Sequence, residues 1–245
     1  MSAPHTVILS ARRDAGGDLV HVALDVDDDV RREYTAPGQY LEIVTDAGNG
    51  YFVLASDVGV SPFELLVKNA GDAADALFTR PIGSTFTLEG PLGSGFPYPR
   101  MSGRHLAIAV VGSALAVARP VLKHRIEGGV AASTHLFLGL RTPLDLPIAS
   151  EVAGWVASGV VVVLCLSRAE LHHHEEVLPG AQRRVGYVQR ALGRALREGS
   201  VPHGSLVIAA GPQEMLSDMR ALALDTTIAA TVTHLAPAIE VLTNV

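Results

Sequence analysis

Residues 90–96 read Gly90-Pro91-Leu92-Gly93-Ser94-Gly95-Phe96, and the hydrophobic pattern of the chain changes across them. Before this stretch the apolar residues tend to alternate with polar ones. After it they come in unbroken runs, of which Val160-Val161-Val162-Val163-Leu164-Cys165-Leu166 is the longest strand-like example. Alternation marks a strand with one wet face, as in an antiparallel barrel, whereas a continuous run marks a strand covered on both faces, as in a parallel sheet. The loop therefore sits at a junction between two differently built halves, a place where ligand clefts often form.

Working outward toward the N-terminus, segments 6–12, 19–26, 40–44, 51–56, 63–68 and 85–88 alternate or run apolar between Gly, Asp, Asn and Pro. Six such strands predict an antiparallel β-barrel over residues 1–102. Residues 72–79 read as one short helix after Gly71, and a helix start beside a strand end offers free backbone N–H groups to an anion.

Toward the C-terminus, 106–111, 134–138, 160–166, 206–210 and 228–232 are strand-like, while 114–126, 147–157, 188–197 and 214–222 carry helical spacing. This alternation predicts an α/β domain over 103–245 with a doubly wound, parallel, five-stranded sheet. The ligand crevice of such a sheet lies at the carboxyl ends of its strands. Gly112-Ser113, Gly139-Leu140-Arg141-Thr142, Ser167-Arg168 and Gly211-Pro212 all fall there.

Composition closes off several classes. With 245 residues and 48% hydrophobic side chains there is apolar surface for two cores. No run reaches the ~18 uncharged apolar residues of a spanning helix, and the N-terminus lacks a basic-then-apolar signal, so a soluble, cytoplasmic protein is expected. Residues 1–102 hold 7 basic and 14 acidic side chains, against 12 and 11 in the remainder, which argues against nucleic acid as a partner. The single cysteine, Cys165, rules out multi-cysteine iron–sulfur or zinc sites within the chain and reads as a buried thiol. Asp25-Val26-Asp27-Asp28-Asp29 reads as a solvated turn, since no calcium-loop spacing follows. His172-His173-His174-Glu175-Glu176 reads as a solvated loop, because adjacent histidines point to different faces and a zinc site needs i, i+4 spacing. Arg183, Arg184, Arg190, Arg194 and Arg197 recur at near-helical spacing and read as an exposed helix face. Gly112-Ser113-Ala114 lacks the glycine spacing of a nucleophile elbow.

Pro37-Gly38-Gln39-Tyr40, the 90–96 loop, Gly139-Leu140-Arg141-Thr142 and Gly211-Pro212-Gln213-Glu214-Met215 occur in the order found in the ferredoxin-NADP reductase superfamily, which the chain resembles over nearly its whole length. The 90–96 loop is similar to that of dihydroorotate dehydrogenase electron-transfer subunits. Phe52-Val53-Leu54-Ala55-Ser56, residues 63–68, Gly186-Tyr187-Val188-Gln189 and the Asn244-Val245 ending resemble plant fruit-type reductase-like proteins. The resemblance implies a flavoprotein oxidoreductase that passes electrons between NADPH or NADH and an acceptor, small molecule or protein, that the sequence does not specify. It implies FAD contacts from Tyr51, Phe52, Val53 and Leu54, from the backbone around Lys68, Gly71 and Asp72, and from Gly93, Ser94, Gly95 and Phe96. Gly112, Arg141, Ser167, Arg168, Tyr187 and Gly211 would hold the nucleotide. No side chain need act as acid or base, because the flavin carries the chemistry.

The departures from the family pattern are equally specific. Where the family has Arg-x-aromatic-Ser, giving an arginine to the flavin pyrophosphate and a hydroxyl near the reactive ring, this chain has Gly50-Tyr51-Phe52-Val53. Asp72 stands where a phosphate usually meets Ser or Thr, and a carboxylate at a helix start competes with an anion. Ala114 replaces a dinucleotide glycine, adding bulk, and ~1 kcal/mol of strain if its backbone is left-handed. Ala210 replaces the cysteine beside the hydride-transfer position, and Val245 the terminal aromatic. Ser167-Arg168 with Tyr187 and Gln189 resembles the grip on the 2′-phosphate of NADPH, though a solvated arginine accounts for Arg168 equally well. These losses together leave a second expectation open, a non-catalytic relative that binds or regulates a partner.

Overall fold

The computed structural model describes residues 4–168, 178–202 and 204–225. Within them the front half contributes β1 (His5–Gly16), β2 (Leu19–Asp25), β3 (Tyr40–Val44), β4 (Asn49–Val53), β5 (Phe63–Lys68) and β6 (Thr85–Leu92). These form one antiparallel sheet in the order β4-β3-β6-β1-β2-β5. No continuous ladder joins β4 to β5, but the two edges touch through the bridge Leu54–Leu65, which rolls the sheet into barrel form. Alternation does the work expected of it. In β3 Leu41 and Ile43 are buried, and in β6 Phe86 and Leu88 face inward while Thr85 and Thr87 face water.

Two helices accompany this sheet, α1 (Asp28–Glu33) and α2 (Asp72–Thr79). The first corrects the expected turn at Asp25 to Asp29. Asp28 and Asp29 in its first turn and Arg31 and Arg32 in its last complement the helix dipole, and Arg31–Asp28 and Arg32–Asp29 pair at i, i+3.

The rear half holds β7 (Leu106–Val111), α3 (Leu115–Glu127), β8 (Thr134–Leu140), α4 (Ala149–Ala157), β9 (Val161–Leu166), β10 (Gln182–Val185), α5 (Val188–Arg197), β11 (Leu206–Ala210) and α6 (Gln213–Asp225). All five strands are parallel, in the order β10-β9-β8-β7-β11. The fifth described strand is β10. The expected strand at 228–232, the His172 to Glu176 segment and the Asn244-Val245 ending lie outside the described residues. β10 also corrects the reading of Arg183 and Arg184 as helical. They lie on the edge of the sheet, where charged side chains are tolerated because one flank is open. Arg190, Arg194 and Arg197 do occupy the exposed face of α5.

Two apolar cores result. One fills the barrel around Leu9, Leu24, Leu41 and Phe63. The other surrounds the parallel sheet and takes in Leu19, Val53, Leu66 and Phe96 from the front half, so the seam between the sheets is itself packed. The 90–96 loop is folded onto residues 35–40. Phe96 N donates to Pro37 O at 2.7 Å, Gln39 Nε2 donates to Gly93 O at 3.1 Å, and Gln39 Oε1 accepts from the N–H groups of Thr35 and Ala36. Arg125, 2% exposed, anchors the chain where it enters the rear half, donating to Met101 O, Arg104 O, Thr134 Oγ1 and Ser133 Oγ.

No helix among the described residues is long and apolar enough to cross a membrane.

Candidate functional site

The strand order of the rear sheet reverses between β7 and β11, so their carboxyl ends, Val111-Gly112 and Ala210-Gly211, form a topological switch point. The barrel strands β4 and β5 face it. Between them lies a groove of two adjoining chambers that share Lys68, Val111, Gly112 and Pro212. The smaller, about 410 Å³, has Tyr51, Phe52 and Val53 on one wall and Gly112, Ser113, Ala114 and Gly211 on the other. The larger, about 520 Å³, runs along Arg141, Ser167, Tyr187 and Gln189 to the first turns of α6, and is bounded on the barrel side by the β1–β2 hairpin tip, Gly17-Asp18-Leu19. Gly112 has φ +59° with open space around it, so its backbone is exposed at the shared boundary. Ala114 has φ −62° and ψ −11°, right-handed values that carry no strain, and its methyl is buried.

Of the residues expected around a flavin, Tyr51, Phe52, Val53 and Lys68 line the smaller chamber. Leu54 turns its side chain into the barrel core, Gly71 and Asp72 open α2 just beyond the wall, and Gly93, Ser94, Gly95 and Phe96 lie in the loop clasped to residues 35–40 rather than along either chamber. Of those expected around a nucleotide, Gly112, Arg141, Ser167 and Tyr187 line the larger chamber and Gly211 the smaller. Arg168 is exposed, donates its N–H to Arg141 O, and is absent from both walls.

The sequence did not point to the acidic residues of the larger chamber: Asp18, Asp145, Glu214 and Asp218. Arg141 Nη2 donates to Asp18 Oδ2 at 2.7 Å and to Asp145 Oδ1 at 2.6 Å. Hydrogen bonds from Arg141 and Thr142, working against burial, hold the Asp145 carboxyl below its ordinary range. Gln189 Nε2 donates to Asp218 Oδ2 at 2.9 Å. The Ala15-Gly16-Gly17-Asp18 turn was legible as a turn, but nothing in its spacing says which surface it faces. Cys165 also reaches the wall, yet burial pushes its thiol up to about 12, so it stays protonated and is no nucleophile.

Farther along β5, at Glu64, a second cavity of about 410 Å³ carries a more enclosed charge network. Arg119 of α3 donates to Glu64 of β5 at 2.6 Å, to Glu151 of α4 at 2.8 Å and to Ala55 O at 3.0 Å. His21 Nε2 stands 3.2 Å from Glu64 Oε2, near enough for attraction but off line for a well-formed hydrogen bond. The contact with His21, opposed by burial and joined by Arg119, lowers the Glu64 carboxyl to about 2.

This pairing of an antiparallel barrel with a parallel sheet recurs in solved structures. A cytochrome P450 reductase of Amycolatopsis superposes with TM-score 0.72 at 21% identity, over 92% of this chain and 68% of that one. The chain has the ferredoxin reductase fold. The cytochrome b5 reductase domain of Ulva prolifera nitrate reductase shares that fold with TM-score 0.70 at 17% identity, over 93% and 96% of the two chains. So does a ferredoxin NADP+ reductase from Neisseria gonorrhoeae, solved with bound FAD and NADP, with TM-score 0.71 at 15% identity and 93% of each chain covered. No protein-family model and no curated protein matches the sequence.

The groove accommodates a flavin unevenly. The smaller chamber offers two aromatic side chains and apolar walls, within the ~300–1,000 Å³ usual for small-molecule sites. The position of the family arginine is sterically shut: a Cβ on Gly50 would meet Ala73 Cβ at 2.8 Å and the Phe52 ring at 2.9 Å. The residues present therefore fit the ring of a flavin, while among the described residues Lys68 is the basic side chain along that chamber available to its phosphates.

Proposed function

We propose that the chain is an electron-transfer flavoprotein of the ferredoxin reductase kind, seating a flavin in the smaller chamber and a nicotinamide nucleotide in the larger. The observation that carries this reading is the continuity of the two chambers across the switch point, with Tyr51 and Phe52 at one end and Tyr187 at the other. A bound flavin supplies the ability to take two electrons from a nicotinamide and pass them on. The chain's own part is positional. Tyr51, Phe52 and Val53 present a wall for the ring, Lys68 offers a cation at the boundary between the chambers, and the backbone at Gly112 lies open to a close-approaching phosphate. The halves divide as a barrel of residues 1–102 and a nucleotide domain of 103–245.

The test is to purify the chain without added cofactor, record its visible spectrum, and identify small molecules released on denaturation. A yellow protein releasing FAD or FMN is expected, and bleaching by NADH or NADPH in stopped flow should follow. A colourless chain that takes up no flavin at high concentration defeats the proposal.

One observation favours a second reading, a reductase-shaped protein that binds or regulates a partner without electron transfer. The closure around Gly50 and the carboxylate of Asp72 at the α2 start remove the usual phosphate grip from the barrel side. The same spectrum separates the two, because this reading requires a chain with no flavin uptake.

A further inference from the structure

We infer that the larger chamber selects the unphosphorylated nicotinamide dinucleotide over its 2′-phosphate, and that Asp18 sets this preference. The inference rests on the nucleotide reading given above and concerns the same site.

The two nucleotides differ by one phosphate monoester, which carries nearly two negative charges at neutral pH. Such a group needs a cation with free donors, and among the described residues the cations along this chamber are Lys68, Arg141 and Arg190. They are outnumbered by Asp18, Asp145, Glu214 and Asp218. Arg141 already sits between two carboxylates, with Nη2 2.7 Å from Asp18 and 2.6 Å from Asp145, so its immediate neighbourhood is net negative. The Gln189 amide is likewise turned onto Asp218. A ribose hydroxyl entering this environment can donate to a carboxylate, whereas a dianion meets repulsion from the surplus of carboxylates. Arg168, the cation that would otherwise receive the phosphate, is outside the wall.

Asp18 is held at its post by the backbone. It occupies a left-handed conformation with φ +64° at the hairpin tip, and the hairpin is docked to the rear half by Ile148 N donating to Ala15 O at 2.6 Å. A Cβ on Gly17 would lie 2.2 Å from Asp145 O, so the glycine is what lets the tip come this close. Asp18 is therefore a positioning residue for Arg141 as well as a charge in its own right.

Calorimetric titration of the full chain with NAD+ and NADP+ reads the preference without turnover. The wild-type chain should bind NAD+ at least about tenfold more tightly, and Asp18→Asn, which keeps the shape and tolerates the left-handed backbone, should cut the ratio to about threefold through tighter NADP+ binding. Raising salt should narrow the wild-type ratio as well, since the chamber is open to screening. Equal or tighter binding of NADP+ by the wild-type chain overturns the inference, as does an Asp18→Asn chain that moves both ligands alike, and either result leaves the nucleotide site itself standing. Binding of neither ligand by either chain removes the nucleotide site and this inference with it. Asp218→Asn provides a second variant with the same expected direction should Asp18→Asn fail to fold.

Discussion

Two arginines bridge the halves of this molecule in the same way, each shared between one carboxylate of the barrel and one of the rear half, yet their surroundings differ. Arg119 joins Glu64 to Glu151 with its side chain only 14% exposed. Arg141 joins Asp18 to Asp145 with its side chain 52% exposed. A half-buried charge that loses its partner cannot recover water, so the first contact is a structural rivet. A solvated pair exchanges readily with water and salt, so the second is a closure that a ligand can open at little cost. Burial, not the identity of the residues, separates the seam that must hold from the seam that can part.

Replacing Arg119 with Ala should have the largest effect. It strands Glu64, Glu151 and Ala55 O together, and a loss of about 3 kcal/mol in urea unfolding is expected. A loss below about 1 kcal/mol would place this seam in the same class as the exposed one. Glu64→Gln comes next, at about 1–2 kcal/mol near neutrality. Its signature is clearer in acid. The folded carboxyl lies at about 2 against an ordinary 4.5, so its contribution is fully present above 4.5 and is lost as pH falls toward 2. The wild-type chain should therefore lose stability across that window, while Glu64→Gln shows a flatter profile. Lys123→Ala removes contacts to Asp57 and Glu127 on the exposed rim of the same cavity, and a change within about 0.5 kcal/mol is expected. Arg141→Ala should leave the denaturation midpoint where it was. Amide exchange at the 14–18 hairpin should nevertheless quicken, and an unchanged exchange rate there would mean that the backbone contact from Ile148 to Ala15 holds the tip without help from the Asp18–Arg141 pair.

The contrast also explains what could be read from the residues alone. Strand and helix positions follow from local periodicity, which is why Tyr40–Val44, Phe63–Lys68, Asp72–Thr79 and Val188–Arg197 fall where the pattern places them. β10 escaped because Gln182-Arg183-Arg184-Val185 has neither alternation nor an apolar run. It becomes a strand only through the ladder offered by residues 163–166. Gly112 was legible because it ends a strand whose direction the fold dictates, whereas Tyr51 and Phe52, inside β4, were named only through the family resemblance. Asp18 and Arg119 were not legible, since the contacts Asp18–Arg141 and Glu64–Arg119 each span more than fifty positions of sequence and join elements that carry no sign of one another. Gly50 illustrates the limit from the other side. The missing arginine was visible as a substitution, but that the site is sterically closed depends on Ala73 and Phe52 converging there.

The two glycines at the hairpin tip set how far the jaws of the molecule close. A methyl on Gly17 would run into Asp145 O, so one added carbon there wedges the mouth ajar and carries Asp18 away from Arg141 with it. Aperture and electrostatics are thus tied together by one short turn of backbone.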